Sequence, residues 1–264
     1  VLGKLLAVGS LNSLIVYGCL WALLEIFQLP YWINFVVAGG ICVLLAIIMY
    51  FSFPAFPSKV EQNQNLVLRK RYWLYYLLTF LSGARRQIFV VFAAFLMVEK
   101  FGYSASQVTL LFLINYAFNF MFAEKIGGLI GKFGERRALT FEYIGLILVF
   151  IAYGLVENAS IAALLYVLDH MFFALAIAIT TYFQKIADPK DMASNAGVSF
   201  TINHIAAVVV PALLGLVWIW SHSLVFYIGA IFALLSLIAA QFIPKSPAPN
   251  QETRISFRSK VIES

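Results

Sequence analysis

Apolar stretches recur along this chain, each closed off by proline, glycine or a knot of charge. Read in order they give eight spans, near residues 5–26, 32–53, 72–98, 105–126, 139–156, 160–183, 195–220 and 223–243. Each is close to the roughly 20 residues with which a helix crosses the hydrocarbon core of a bilayer. An outer-membrane barrel would instead show segments of about ten residues alternating in polarity, and no such alternation occurs. The pattern predicts an all-α polytopic membrane protein with about eight transmembrane helices.

Two stretches interrupt the rhythm. Residues 54–71 hold Pro54 and Pro57, then glutamines, asparagines and basic residues, and read as a linker. From Pro244 onward, with Pro247 and Pro249, the chain reads as a disordered tail. The expected organisation is two helices in 1–53, a linker over 54–71, six helices over 72–243 and a tail over 244–264. The first apolar run lacks a small-residue cleavage site and is followed almost at once by a second, so a signal peptide is not expected. A start at Val1 without an initiator methionine points to processing or a fragment.

Composition agrees with the spans. Only 11% of residues are charged and 62% are hydrophobic, against roughly 25% charged in soluble domains, so a water-facing surface could not be covered. A net charge of +6 would fit nucleic acid in a soluble protein, but in a membrane protein basic residues first mark the cytoplasmic loops. With the N-terminus inside, 15 of the 18 basic residues fall on the cytoplasmic side, Lys100 alone falls outside, and Arg85 and Arg86 lie within a span. Both termini are therefore expected in the cytoplasm of a cell that carries the protein in its plasma or inner membrane. Nucleic acid is not expected as a partner. Cys19 and Cys42 lack any paired spacing and are expected as small buried hydrophobes, and no metal or cofactor motif is present.

After the fourth span the sequence reads Gly127-Gly128-Leu129-Ile130-Gly131-Lys132-Phe133-Gly134-Glu135-Arg136-Arg137. This resembles the loop signature of the major facilitator superfamily, G-x-L-a-D-R-x-G-R-R, which joins the second and third helices of each six-helix half. Gly127, Gly131, Lys132, Gly134, Arg136 and Arg137 carry the likeness, whereas Gly131 stands where the family often has an acidic residue and Glu135 where it usually has a basic one. The resemblance implies that residues 72–243 are helices seven to twelve, that the first two spans are helices five and six, and that helices one to four are missing. It also implies that helices seven and ten line a central path. Asp169 in helix ten then becomes the expected partner of Arg85 or Arg86, and His170 a candidate for proton coupling.

Two arginines in mid-span cost roughly 2.5–3.5 kcal/mol each against lipid, and each interface is about two turns or more away, too far for snorkelling. Adjacent helical residues point about 100° apart, so one can face a cavity and the other a neighbouring helix. Further candidate path residues are Asn115 and Asn119, one turn apart in helix eight, and Asn203 and His204 in helix eleven, with Asn12, Ser13 and Tyr17 in helix five. Structural alternatives stand beside each: an ion pair for the arginines, packing for His170, interhelical hydrogen bonds for the asparagines. Glu142 is expected to pair with Arg136 or Arg137 at the interface. The Asn158-Ala159-Ser160 sequon abuts the membrane and is not expected to be used.

These residues point to a secondary transporter, not an enzyme, working by alternating access on a small, anionic solute, with the bilayer as surroundings and protons as a candidate coupling ion. The alternative is a receptor or assembly scaffold that keeps the fold without moving a solute. Protease, hydrolase and P-loop motifs are absent from the sequence.

Overall fold

The computed structural model describes residues 2–54, 60–63 and 65–254. Lys59, Pro57 and the tail from 255 on, with Arg258 and Lys260, lie outside the described residues. Eight helices among those described are long and apolar enough to cross a membrane. They are α1 (Leu2–Glu25) and α2 (Tyr31–Ser52); a third span made of α3 (Trp73–Gln87), a π-helical turn (Ile88–Ala93) and α4 (Ala94–Glu99); then α5 (Ala105–Phe133) and α6 (Glu135–Leu155). A sixth span joins α7 (Ala159–Phe173) through a 3-10 turn to α8 (Ile177–Ile186), and α9 (Met192–Trp220) and α10 (His222–Ala240) complete the set.

The helix ends have local causes. Ser104 caps α5 by accepting from the Gln107 amide at 3.2 Å, while Gln107 Oε1 accepts from the Ser104 amide at 2.8 Å, so two otherwise orphaned N–H groups are satisfied together. Asn158 caps α7 by accepting from the Ser160 and Ile161 amides, which employs the sequon asparagine in the fold. Gly134, at φ +86°, separates α5 from α6, a backbone angle that costs glycine little and other residues more. The presumed loop signature is therefore helical on both sides of that one residue. This corrects the expectation of a loop over 127–137. Gly127 and Gly131 lie inside α5, Lys132 in its last turn, and Arg136 and Arg137 in the first turn of α6.

The core joins α3, α6, α7, α8 and α10 through Leu78, Tyr143, Phe150, Tyr166, Tyr182 and Phe226. α6 and α10 run against each other over much of their length. Where α6 passes α7, a Cβ on Gly145 would overlap the Phe172 ring. Gly145→Ala is expected to cost about 1 kcal/mol through overpacking, seen as a lowered unfolding midpoint in detergent. A raised midpoint would show slack at this crossing.

α1 packs along α5, with Gly3 against the Ala123–Glu124 backbone and Gly127 close to Gly3. α2 buries none of its residues, whereas α10, equally free of charge, buries one face. Small residues such as Gly229, Ala233 and Ser236 seat α10 on the core, while Ile231, Leu234 and Ile238 stay exposed on its other side. Cys19 and Cys42 are exposed on α1 and α2, not buried as expected.

The linker and the tail are more engaged than their composition implied. Asn63 donates its backbone amide to Lys190 O at 3.0 Å, Val67 N donates to Ser194 Oγ at 2.7 Å, and Gln62 Oε1 accepts from Ala193 N at 3.1 Å. The tail was expected to be disordered from Pro244. Up to Arg254 it instead folds back, with Arg254 N donating to Phe242 O at 2.8 Å and Tyr182 Oη donating to Glu252 O at 2.5 Å. Its prolines stop a helix without preventing a turn.

Candidate functional site

Arg85 and Arg86 stand on α3 just before its π-helical turn, and their directions diverge. Arg85 points into the bundle. Its Nη1 donates to Ser236 Oγ on α10, its Nη2 lies 3.5 Å from Glu142 Oε1 on α6, and its guanidinium carbon sits 4.4 Å from the centre of the Tyr143 ring. Both ion-pair side chains are 0% exposed. The arrangement compensates a buried charge with an opposite charge, an aromatic face and a hydroxyl.

This geometry corrects two expectations. The partner of the buried arginine is Glu142, not Asp169, and Glu142 does not pair with Arg136 or Arg137. Asp169 on α7 is 2% exposed and within electrostatic reach of Arg85, yet among the described residues it makes no ion pair, and its Oδ2 has no hydrogen-bond donor.

Arg86 is exposed, and no carboxylate among the described residues pairs with it. Its charge acts on His170 of α7, which is half-buried. Asn119 Nδ2 on α5 donates to His170 Nε2 at 2.8 Å, an arrangement that suits a neutral imidazole bearing its proton on Nδ1. Phe89 and Tyr116 flank the ring, with centroids 5.7 and 6.0 Å away. Tyr116 in turn stacks on Tyr17 of α1 at 5.1 Å. Aromatic rings thus lead from α1 through α5 to the His170 imidazole.

The other expected residues divide. Asn115, one turn from Asn119, is fully buried, and neither of its amide atoms has a hydrogen-bond partner among the described residues. Asn203 on α9 donates to Ser199 O at 2.9 Å, and its Oδ1 lies against Gly83, three residues before Arg86. His204 is exposed and turned away, its Nδ1 at 2.8 Å from Phe200 O and its ring 3.8 Å from the Phe200 ring. The structure therefore joins His170 to Asn119 within electrostatic reach of Arg86, places Asn203 on the flanking helix α9, and leaves His204 outside the group.

Glu142, Tyr143 and Ser236 were not anticipated as neighbours of an arginine. The serine gave no signal in a span free of charge, and the tyrosine resembles any other core aromatic. Glu142 offered one signal, an acidic residue seven positions past Glu135 at the start of α6, which at 1.5 Å per residue lies about 10 Å into the helix.

The family model for the Major Facilitator Superfamily matches residues 2–211, from the first helix into α9. No curated protein matches the chain significantly.

Proposed function

This chain belongs to the major facilitator superfamily and is a multi-pass membrane transporter, and on that premise we propose that it moves a small anionic solute by alternating access, with Arg86 as the anion-binding cation. The observation that carries this reading is the contrast between the two arginines. Arg85 is consumed by Glu142, Ser236 and Tyr143, while Arg86 in the next position has no carboxylate among the described residues. An unpaired arginine at mid-membrane depth is stable only where water, protein or a ligand reaches it. His170, held by Asn119, supplies a second polar contact, and taking up a proton there would require the Asn119 amide to turn its oxygen toward the ring. That exchange is a route by which a proton could couple to solute binding. On this reading the eight spans are helices five to twelve of the superfamily's twelve, with α1 and α5 meeting across the two bundles. Both ends and the basic loops face the cytoplasm.

The test is flux in proteoliposomes carrying the protein, assayed with a panel of radiolabelled monocarboxylates, dicarboxylates and inorganic phosphate. Arg86→Ala is expected to lower the uptake of the transported anion more than tenfold, Arg86→Lys to keep part of it because the charge remains, and both to keep the wild-type unfolding midpoint. Full anion flux in Arg86→Ala, or transport confined to neutral solutes, would remove the assignment.

A further inference from the structure

A second basic site lies at the end of the bundle that carries the basic loops, well away from Arg86 in sequence and built from other elements. Arg136 and Arg137 from the first turn of α6 and Arg254 from the returning tail line one cleft of about 460 Å³, together with Thr140, Gln241, Phe141 and Ile144. A smaller cleft of about 210 Å³ is lined by the same two α6 arginines and by Lys245. We propose that this cleft binds the phosphate headgroup of an anionic phospholipid in the leaflet facing the basic end.

Charge is the first support. No carboxylate among the described residues lies within ion-pair distance of Arg136, Arg137, Lys245 or Arg254, whereas Glu135 beside them is taken by Lys185 at 2.6 Å. Gathering like charges is unfavourable without a counter-ion. The fold nevertheless brings Arg254 in by two hydrogen bonds, from its backbone amide to Phe242 O and from Nη1 to Gln241 O at 3.4 Å. Gln241 also donates to Thr140 Oγ1 at 3.0 Å, which ties the end of α10 to α6 beside the arginines. The start of α6 adds free backbone N–H groups and the positive end of its dipole.

Apolar exposure is the second support, and it selects lipid over soluble phosphate. Phe141 and Ile144 line the same cleft and are 64% and 47% exposed. They lie about one and two turns deeper along α6 than Arg137, in the direction of the membrane interior. A headgroup seated on the arginines would lay its acyl chain over these two side chains, while a free phosphate would leave them uncovered.

Native mass spectrometry of the protein in mild detergent, titrated with phosphatidylglycerol or phosphatidylcholine, tests the proposal. Phosphatidylglycerol should be retained at least tenfold more tightly, and each arginine removed should weaken it roughly fivefold. Arg136→Gln with Arg137→Gln is the direct variant; Arg254→Gln, in the tail and outside the helices, is the one that cannot be blamed on misfolding. Lys190→Gln, a basic residue at the same end but not in the cleft, should change nothing. Equal retention of the two lipids, a loss in Lys190→Gln as large as in Arg254→Gln, or displacement of the lipid by equimolar glycerol phosphate would each overturn it.

Discussion

Arg85→Leu, with Glu142 left in place, is expected to destabilise the protein by about 3–5 kcal/mol, the cost of stranding one member of a buried ion pair. Glu142 would keep two oxygens in a site with 0% exposure and lose its only ion-pair partner among the described residues. The Ser236 hydroxyl would lose the Arg85 donor while still donating to Phe232 O at 2.7 Å. Removing both charges, as Arg85→Leu with Glu142→Leu, should recover most of the loss, because an apolar pair of similar volume avoids desolvation altogether. Thermal unfolding in detergent, run as a double-mutant cycle, reads the coupling. A single-mutant cost below about 1 kcal/mol, or a double mutant as poor as the sum of the singles, would show that Arg85 and Glu142 do not depend on each other. Arg86→Ala should leave the midpoint unchanged, which separates the structural arginine from the proposed binding one.

The eight spans were legible in the sequence because bilayer thickness sets helix length, so hydropathy alone counts them. The divergence of Arg85 and Arg86 was legible too, since it follows from 100° per residue and from nothing else. What could not be read was the neighbour each arginine would meet. Asp169 looked like the partner because it shares mid-membrane depth with Arg85, and Glu142 looked interfacial because it follows a basic cluster taken for a loop. Helix continues to Phe133 and resumes at Glu135, so the membrane-facing depth of every residue in α6 was underestimated by about a turn. A break of a single residue leaves no run of polar positions for a hydropathy reading to detect. The choice between helices is set by packing, and small residues on α10 let Ser236 approach where no charge pattern pointed.

The linker and the tail show the same limit from the polar side. Proline, glutamine and asparagine predicted segments without regular structure, and that much is right for residues 60–63 and 65–69, which form no helix or strand. Composition says nothing of long-range docking, which rests on hydrogen bonds and an ion-pair cluster between residues more than 100 positions apart. Asp191 carries no signal in the sequence, because it sits between two spans, where a carboxylate has water available and no evident need of a partner.

Asp191→Asn is expected to release the linker. The carboxylate accepts from Arg69 Nε at 2.5 Å and Nη2 at 2.8 Å, from Arg71 Nη2 at 3.2 Å, from Tyr72 Oη at 3.0 Å and from Asn63 Nδ2 at 2.8 Å. Its side chain is 4% exposed, while the two arginines remain 41% and 35% exposed. That asymmetry fixes the magnitude. The arginines recover much of their hydration when the carboxylate is neutralised, so the loss falls below that of a fully buried pair, at about 2–3 kcal/mol. The amide can still accept through its oxygen, but its nitrogen would face guanidinium donors. The loss falls first on the opening of residues 65–71 from α9, because Asp191 contacts none of Arg85, Glu142, Tyr143 and Ser236. An opening equilibrium shifted by 2–3 kcal/mol rises roughly 30- to 150-fold, and tryptic cleavage after Arg69, Lys70 and Arg71 should rise with it while the unfolding midpoint moves little. Arg69→Gln should raise cleavage at the remaining sites less, since Arg71, Tyr72 and Asn63 still hold the carboxylate. Unchanged cleavage in Asp191→Asn would mean that the backbone bonds of Asn63 and Val67 fasten the linker without help from charge.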